Sequence, residues 1–242
     1  MKKGLLLVIA LVAVMALLLV GCEQTSGGGS STQQTGIWVS GEGKVTAVPD
    51  VAIMTLGVEA QETTVKAAQS EAVSTMNAVM DALKTNGVAD KDIQTQWYSI
   101  SPVTKWDDKT NEQITTGYSV TNMVTTKIRD MSKIGTIIDA AAEAGGNLTR
   151  VSSLSFTVED PTAYYTQARA KAMADAKAKA EQMANLAGIK LGKPIYISES
   201  SSYIPQPYPV KDYAGAIASS VTPISPGELE ITLSVSVGYS IE

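Results

Sequence analysis

The sequence predicts an α+β fold: antiparallel sheet or sheets with helices packed on one face, in the order ββαββαβαββ. Three observations predict it. Leu229, Ile231, Leu233, Val235, Val237 and Tyr239 alternate strictly with Glu230, Thr232, Ser234, Ser236, Gly238 and Ser240, as in a strand with one dry face. Val65, Ala68, Ala72, Met76, Val79 and Leu83 recur at steps of three and four, which makes one apolar stripe on a helix. Neighbouring strands are joined by short turns, which favours antiparallel pairing.

Ile37 to Val48 and Val51 to Gln61 read as two strands with Pro49-Asp50 as the turn between them. On the second, Val51, Ile53, Thr55 and Gly57 share one face and Ala52, Met54, Leu56 and Val58 the other, so both faces are suited to cover. A helix follows over Thr64 to Asn86, stopped by Asn86-Gly87. Ile93 to Trp106, interrupted by Pro102, reads as an edge or bulged strand. The polar turn Asp107 to Glu112 returns it to a partner strand, Ile114 to Ile128. Asp130 can cap a short helix that buries Ile134, Ile137, Ile138 and Ala141 and ends at Gly145-Gly146. Leu154, Phe156 and Val158 alternate with polar residues as a further strand. Asp160-Pro161 starts a helix that reaches Ala187, with Gly188 as its stop. Lys171-Asp175, Asp175-Lys179 and Lys177-Glu181 are spaced to pair along its flank. Ile195 to Glu199 is a short strand before the closing one.

The N-terminal segment is a targeting signal rather than part of the fold. Lys2 and Lys3 precede an apolar run, Leu5 to Val20, too short to span a bilayer, and Leu19-Val20-Gly21-Cys22 resembles a lipobox. The expected organisation is residues 1–21 as a lipoprotein signal peptide, 22–35 as lipidated Cys22 with a Gly/Ser/Thr/Gln tether, and 36–242 as one domain. Two acyl chains on Cys22 hold a protein at a membrane with roughly 20 kcal/mol, at about 0.8 kcal/mol per buried CH2. The membrane is then the first expected partner. Loss of Lys2 and Lys3 moves the formal charge from -5 to -7, which disfavours nucleic acid as a partner.

The chain has no histidine and one cysteine. That removes the usual general base, every Ser-His-Asp arrangement and Cys/His metal sites. Asp107, Asp108 and Glu112 lack the alternating spacing of a calcium loop and read as a solvated turn. Gly41-Glu42-Gly43-Lys44 lacks the spacing of a phosphate loop, and its glycines suit a bulge or a close backbone approach. Arg150 and Arg169 read as surface charges, the methionines as core filling, and Trp38, Trp97 and Trp106 as packing residues.

Two features favour self-association. Ala168, Ala172, Ala176 and Ala180 form a small-residue row, and Ala170, Ala174 and Ala178 a second, so two neighbours can approach the helix closely. Ser200 to Gly227 is long and irregular, with Tyr203, Tyr208 and Tyr213 set among prolines as stiff anchors for a partner. Ala168, Ala172, Ala176 and the three tyrosines are therefore the candidate homo-oligomer interface; plain helix propensity for the alanines and a disordered loop for the tyrosines are the alternatives.

Several segments in order resemble the SIMPL-domain family, which includes YggE-like bacterial envelope proteins. They are Ser40-Gly41-Glu42-Gly43 with Val48-Pro49-Asp50-Val51-Ala52, then Thr116-Gly117-Tyr118-Ser119-Val120-Thr121-Asn122, then the Ala-rich stretch ending Ala184-Asn185-Leu186-Ala187-Gly188. Leu191-Gly192-Lys193-Pro194, the Ile195 to Glu199 strand and Pro226-Gly227-Glu228 complete the set. The resemblance implies an envelope location, oligomers, a loose link to stress tolerance, and neither catalytic residues nor a cofactor. The expected function is thus a non-catalytic, lipid-anchored, self-assembling envelope protein. The alternative is a binding module whose strands present Trp97, Tyr98 or Trp106 to a small apolar or cell-wall ligand. A hydrolase built on carboxylates is the remaining enzymatic option.

Overall fold

The computed structural model describes residues 35–201, 206–208 and 221–242, with residue 201 and residues 206–208 described as backbone only. Cys22, the signal segment and the tether lie outside the described residues, as do Tyr203 and Tyr213. The described chain runs β1 (Ile37–Ala47), β2 (Val51–Glu62), α1 (Val65–Thr85), β3 (Ile93–Asp107), β4 (Glu112–Ile128), α2 (Ile134–Gly145), β5 (Thr149–Thr157), α3 (Thr162–Ala187), β6 (Leu191–Ser201), β7 (Gln206–Tyr208) and β8 (Glu228–Ile241). This is the expected α+β order with one short strand added. That strand, β7, lies inside the stretch read as irregular, and places Tyr208 opposite Glu228 of β8.

The strands form two antiparallel sheets. One has the order β1-β8-β6, with β7 also on β8, and the other β3-β4-β2-β5. The expected pairing of β1 with β2 is therefore corrected. Pro49 sits where the chain leaves one sheet for the other. β1 pairs instead with the last strand, from Ile37 opposite Tyr239 to Ala47 opposite Leu229.

Each sheet has its own helical cover. α1 and α2 close the second sheet over Met54, Leu56, Val58, Val120, Val124, Val79, Leu83, Ile134 and Ile137. Thr64 caps α1, its hydroxyl accepting from the Ala67 amide at 3.2 Å, and Gly87 ends it at φ +97°. Among the described residues the opposite face of β2 carries no helix. There Thr55 meets Thr125, hydroxyl to hydroxyl at 3.3 Å, and Ser119 donates to Glu59. The expectation of cover on both faces thus fails, because the flanking strands β4 and β5 themselves half-bury Ile53, Thr55 and Glu59.

α3 covers the first sheet. Pro161 is its N-cap residue, Asp160 just ahead accepts from the Thr162 amide at 3.0 Å, and Gly188 closes the helix at φ +69°. Its row Ala168, Ala172, Ala176 and Ala180 is fully buried against Val39, Val45, Leu233, Val235 and Val237. The approach is backbone to backbone. A β-carbon at Gly41 would stand 2.0 Å from the Ala172 carbonyl oxygen, and one at Gly43 would stand 1.9 Å from that of Ala168. The expected close approach at these glycines is what the fold uses them for. It also corrects the assignment of Ala168, Ala172 and Ala176 to an oligomer interface, since the strand of the same chain already fills that row.

Two of the spaced pairs on α3 form, Asp175 with Lys179 at 2.7 Å and Lys177 with Glu181 at 3.6 Å. Their neighbours do more than pair. Lys171 Nζ donates to the Lys44 carbonyl at 2.8 Å and Lys179 Nζ to the Ser40 carbonyl at 3.0 Å, while Asp175 accepts from the Glu42 amide at 2.9 Å. Those are outward groups of β1, an edge strand. The helix therefore closes the edge with side chains, as natural sheets do to prevent unwanted pairing.

Gly43→Ala should destabilise the domain by about 3 kcal/mol, the upper range for forced overpacking, with Ser40→Ala on the exposed face as the neutral control; urea midpoints read both. Asp175→Ala should speed hydrogen exchange at the Glu42 amide several-fold while leaving the amides of β2 unchanged, as followed by two-dimensional NMR.

Candidate functional site

Among the described residues no three of His, Cys, Asp and Glu gather closely enough to hold a metal ion. Every resolved carboxylate shift is downward. Arg129 lowers Asp92 and Glu159, Arg169 lowers Glu199, Lys179 lowers Asp175 and the Thr222 hydroxyl lowers Asp139. None of these groups is a carboxylic acid kept protonated at neutral pH, as acid catalysis by a carboxyl requires.

The densest charge cluster surrounds Arg129, just past β4. Its guanidinium grips Glu159 with two bonds, at 2.7 and 2.8 Å, and Asp92 with a third at 2.5 Å; Lys127 adds a contact to Glu159 at 3.3 Å. This grip holds the Glu159 carboxyl at about 2. A cavity of about 260 Å³ lies beside it, lined by Gly87, Lys91, Ile128, Arg129 and Ile137 among others. Its cation is already spent on acids, so the cluster reads as a clamp. The Glu159 amide in turn donates to Asp50 at 2.8 Å, and the Asp50 amide to the Thr157 carbonyl at 3.2 Å. The clamp therefore sits where β1 passes into β2 and β5 passes into α3.

A second feature runs between α3 and β6. α3 lies over β1 and β8, so among the described residues no helix packs over the middle of β6. Two cavities mark the resulting groove, of about 370 Å³ beside Thr162, Tyr165 and Thr166, and about 520 Å³ beside Met173, Leu191, Pro194 and Tyr239. Arg169 bridges from helix to strand, gripping Glu199 at 2.5 and 2.9 Å. Along β6, Ile195, Tyr196 and Ile197 are 58%, 48% and 55% exposed. Tyr196 rests on Trp38 of β1 across the sheet, with ring centroids 5.3 Å apart.

The third feature is the β3–β4 hairpin. β2 ends opposite Tyr118, so the hairpin beyond Val103 and Gly117 continues as a two-stranded ribbon. Trp106 and Ile114 are exposed on that ribbon, and Trp97 is 61% exposed nearer its base. The reading of Trp97 and Trp106 as packing residues is thus corrected. They lie on the outermost strand of their sheet. Trp38 is half-buried as expected, and Arg150 pairs with Glu59 at 3.1 Å. Met54, Met76 and Met123 are core residues, whereas Met183 is exposed. Asp107 accepts from the Lys109 amide at 3.0 Å and so shapes the hairpin turn.

Comparison with known proteins places this architecture. Residues 37–239 match the family described as SIMPL, protein of unknown function (DUF541). The chain belongs to the SIMPL family. A 26 kDa periplasmic immunogenic protein of Brucella melitensis biotype 1 is 36% identical over 220 residues, 88% of this chain and 87% of that protein. A protein of Escherichia coli (strain K12) named YggE is 31% identical over 173 residues, 71% of this chain and 68% of that one. In this SIMPL domain the segments that carried the resemblance are structural. Gly41 and Gly43 admit α3, Asp50 ties the sheet crossing, and Thr116 to Asn122 runs from the ribbon into the sheet. Asn122 Oδ1 is buried there without a hydrogen-bond partner among the described residues. Sequence reasoning missed the β6 edge, and its signal was the unbroken triplet Ile195-Tyr196-Ile197.

Glu159 gives a pH test with a definite sign. Its carboxyl is lowered in the folded state, so its contribution is complete above the ordinary value of 4.5 and disappears as pH falls through about 2. Glu159→Gln should lower the melting temperature at neutral pH, and the gap to the parent should close by pH 2.

Proposed function

We propose that this chain is a non-catalytic protein of the bacterial cell envelope, tethered to a membrane surface by lipid on Cys22 and assembled with copies of itself. The observation that carries the reading is the distribution of apolar side chains. Trp97, Trp106 and Ile114 on one sheet and Ile195 and Ile197 on the other stand in water on strands, in a chain whose cores are otherwise closed. Exposed apolar side chains grouped on edge strands mark association surfaces. The name of the Brucella relative, a periplasmic protein, supports an exported location. The sequence from Lys2 to Cys22 supports export with lipidation. The downward carboxylate shifts and the lack of histidine support the absence of acid–base catalysis.

A second reading has its own observation. Trp97 and Tyr98 are both exposed, which suits stacking against an apolar or cell-wall compound. A thermal-shift screen of cell-wall fragments separates the two, because a ligand raises stability as its concentration passes its dissociation constant.

Cys22→Ala should move the protein from the membrane fraction to the soluble one, or leave it unprocessed; unchanged fractionation and gel mobility refute the anchor. Light scattering on the purified full chain should return a multiple of the monomer mass, and a monomer at micromolar concentration removes the assembly reading.

A further inference from the structure

The contacts that close the β1 edge also fix where α3 ends. Lys171 lies over Lys44, Asp175 over Glu42 and Lys179 over Ser40. Four helix residues rise about 6 Å and two strand residues about 7 Å, so the two elements stay in step while running in opposite directions. The next steps bring Met183 to Trp38 and Ala187 to Gly36. The last turn of α3 therefore lies beside the point where the chain enters the domain. The strands agree with that placement: Ile37 pairs with Tyr239, and two residues further along β8 Ile241 pairs with Leu191, the first residue of β6. This end carries apolar side chains in water. Leu186 is 83% exposed, more than any other large apolar side chain among the described residues, Met183 is 52% exposed, and Ile241 is exposed as well. In a chain whose acids outnumber its cations, Gln182 to Ser198 holds Lys190 and Lys193 and no acid. Glu242 joins this end, bonded backbone to backbone with Lys190 at 2.9 and 3.1 Å.

We propose that this end of the domain docks on the phospholipid surface, with Leu186 and Met183 in the interface and Lys190 and Lys193 among the headgroups. The proposal rests on the lipid anchor at Cys22 read above, and names the face of the protein that the anchor brings to the bilayer. Thirteen residues, Glu23 to Thr35, separate the lipid from the domain, and fully extended they span no more than about 45 Å. A surface held within that reach of Ile37 meets the last turn of α3 as an intramolecular contact. Its effective concentration is then high enough to populate an insertion that would be weak between separate partners. The side-chain chemistry also selects a bilayer. Two apolar side chains one helical turn apart, followed by lysines and no acid, suit an interface in which methyl groups enter the acyl boundary and amines stay among phosphates. Acids elsewhere on the chain are repelled by anionic headgroups, which favours this end over the others.

A nitroxide on Leu186→Cys tests this with the full, processed chain in vesicles of phosphatidylethanolamine and phosphatidylglycerol. With Cys22 capped by lipid, the introduced thiol alone takes the label. Relaxation by oxygen, which concentrates in lipid, and by a nickel chelate, which stays in water, reads the depth of the label. The ratio of oxygen to nickel relaxation should be several-fold higher at Leu186→Cys than at Val73→Cys, an exposed position on α1. Circular dichroism melts confirm that each variant is folded; if Leu186→Cys is not, Met183→Cys replaces it and should give the same high ratio. Equal ratios at both positions, in chain that still floats with the vesicles, overturn the docking and leave the anchor intact. Shielding of Leu186→Cys from both reagents places protein over it, a second copy or another chain, and overturns the bilayer as occupant. A parent chain that takes the label at Cys22 itself and does not float removes the anchor reading, and this proposal with it.

Discussion

Much of the first sheet follows from one contact, the meeting of the β1 and α3 backbones at Gly41 and Gly43. Side chains between packed layers normally hold them apart, by about 10 Å for two stacked sheets. Here glycine faces alanine, and no β-carbon fits between them at either glycine. The short distance lets Lys171, Asp175 and Lys179 reach over the edge of β1 and bind its outward backbone groups. It also fixes the helix above β1 rather than above the middle of the sheet. The uncovered β6, the groove beside it and the exposed Ile195 and Ile197 are consequences of that off-centre seat.

The same contact shows what the sequence could reveal and what it could not. The stripe on α1, the alternation along β8 and the helix stops at Gly87 and Gly188 are local patterns, and the structure follows them. The alanine row was equally visible, but its partner was not. Lys44 and Lys171 are 127 residues apart, and Ser40 and Lys179 are 139 apart. Nothing local tells a small-residue row whether it faces its own chain or another. The pairing of β1 with β8 escaped for the same reason: a two-residue Pro-Asp turn resembles a hairpin, yet proline offers no N–H and the chain changes sheet. Trp97 and Trp106 were misplaced because aromatic residues in a strand pattern fit a core and an edge equally well. The edge at β6 could be suspected from its apolar triplet, but its openness depends on where α3 lies.

Two crossings join the sheets side by side, and both are pinned. Asp50, at the first, accepts from the Glu159 amide, and Glu159, at the second, is held by Arg129. Ala47, Val158, Leu229 and Ile231 make a small apolar cluster of their own. The polar clamp around Arg129 is exposed, so its worth lies in geometry more than in energy. It fixes the angle at which strands leave one sheet for the other, through a guanidinium fork that binds in one orientation only.

The two cores also differ in kind. Met54, Leu56, Leu83, Ile134 and Ile137 fill the space under α1 and α2 with large side chains. Under α3 the helix contributes five alanines. At roughly 25 cal/mol per Å² of apolar surface, a methyl group yields much less than a leucine side chain. The first sheet therefore depends more heavily on its backbone ladders, above all the eleven-position register of β1 with β8. A layer with a thin apolar core gains proportionately more from any further burial and from any further ladder. The small residues that bring α3 close to β1 thus act at a distance: by drawing the helix to one side of the sheet they leave Ile195 and Ile197 of β6 exposed.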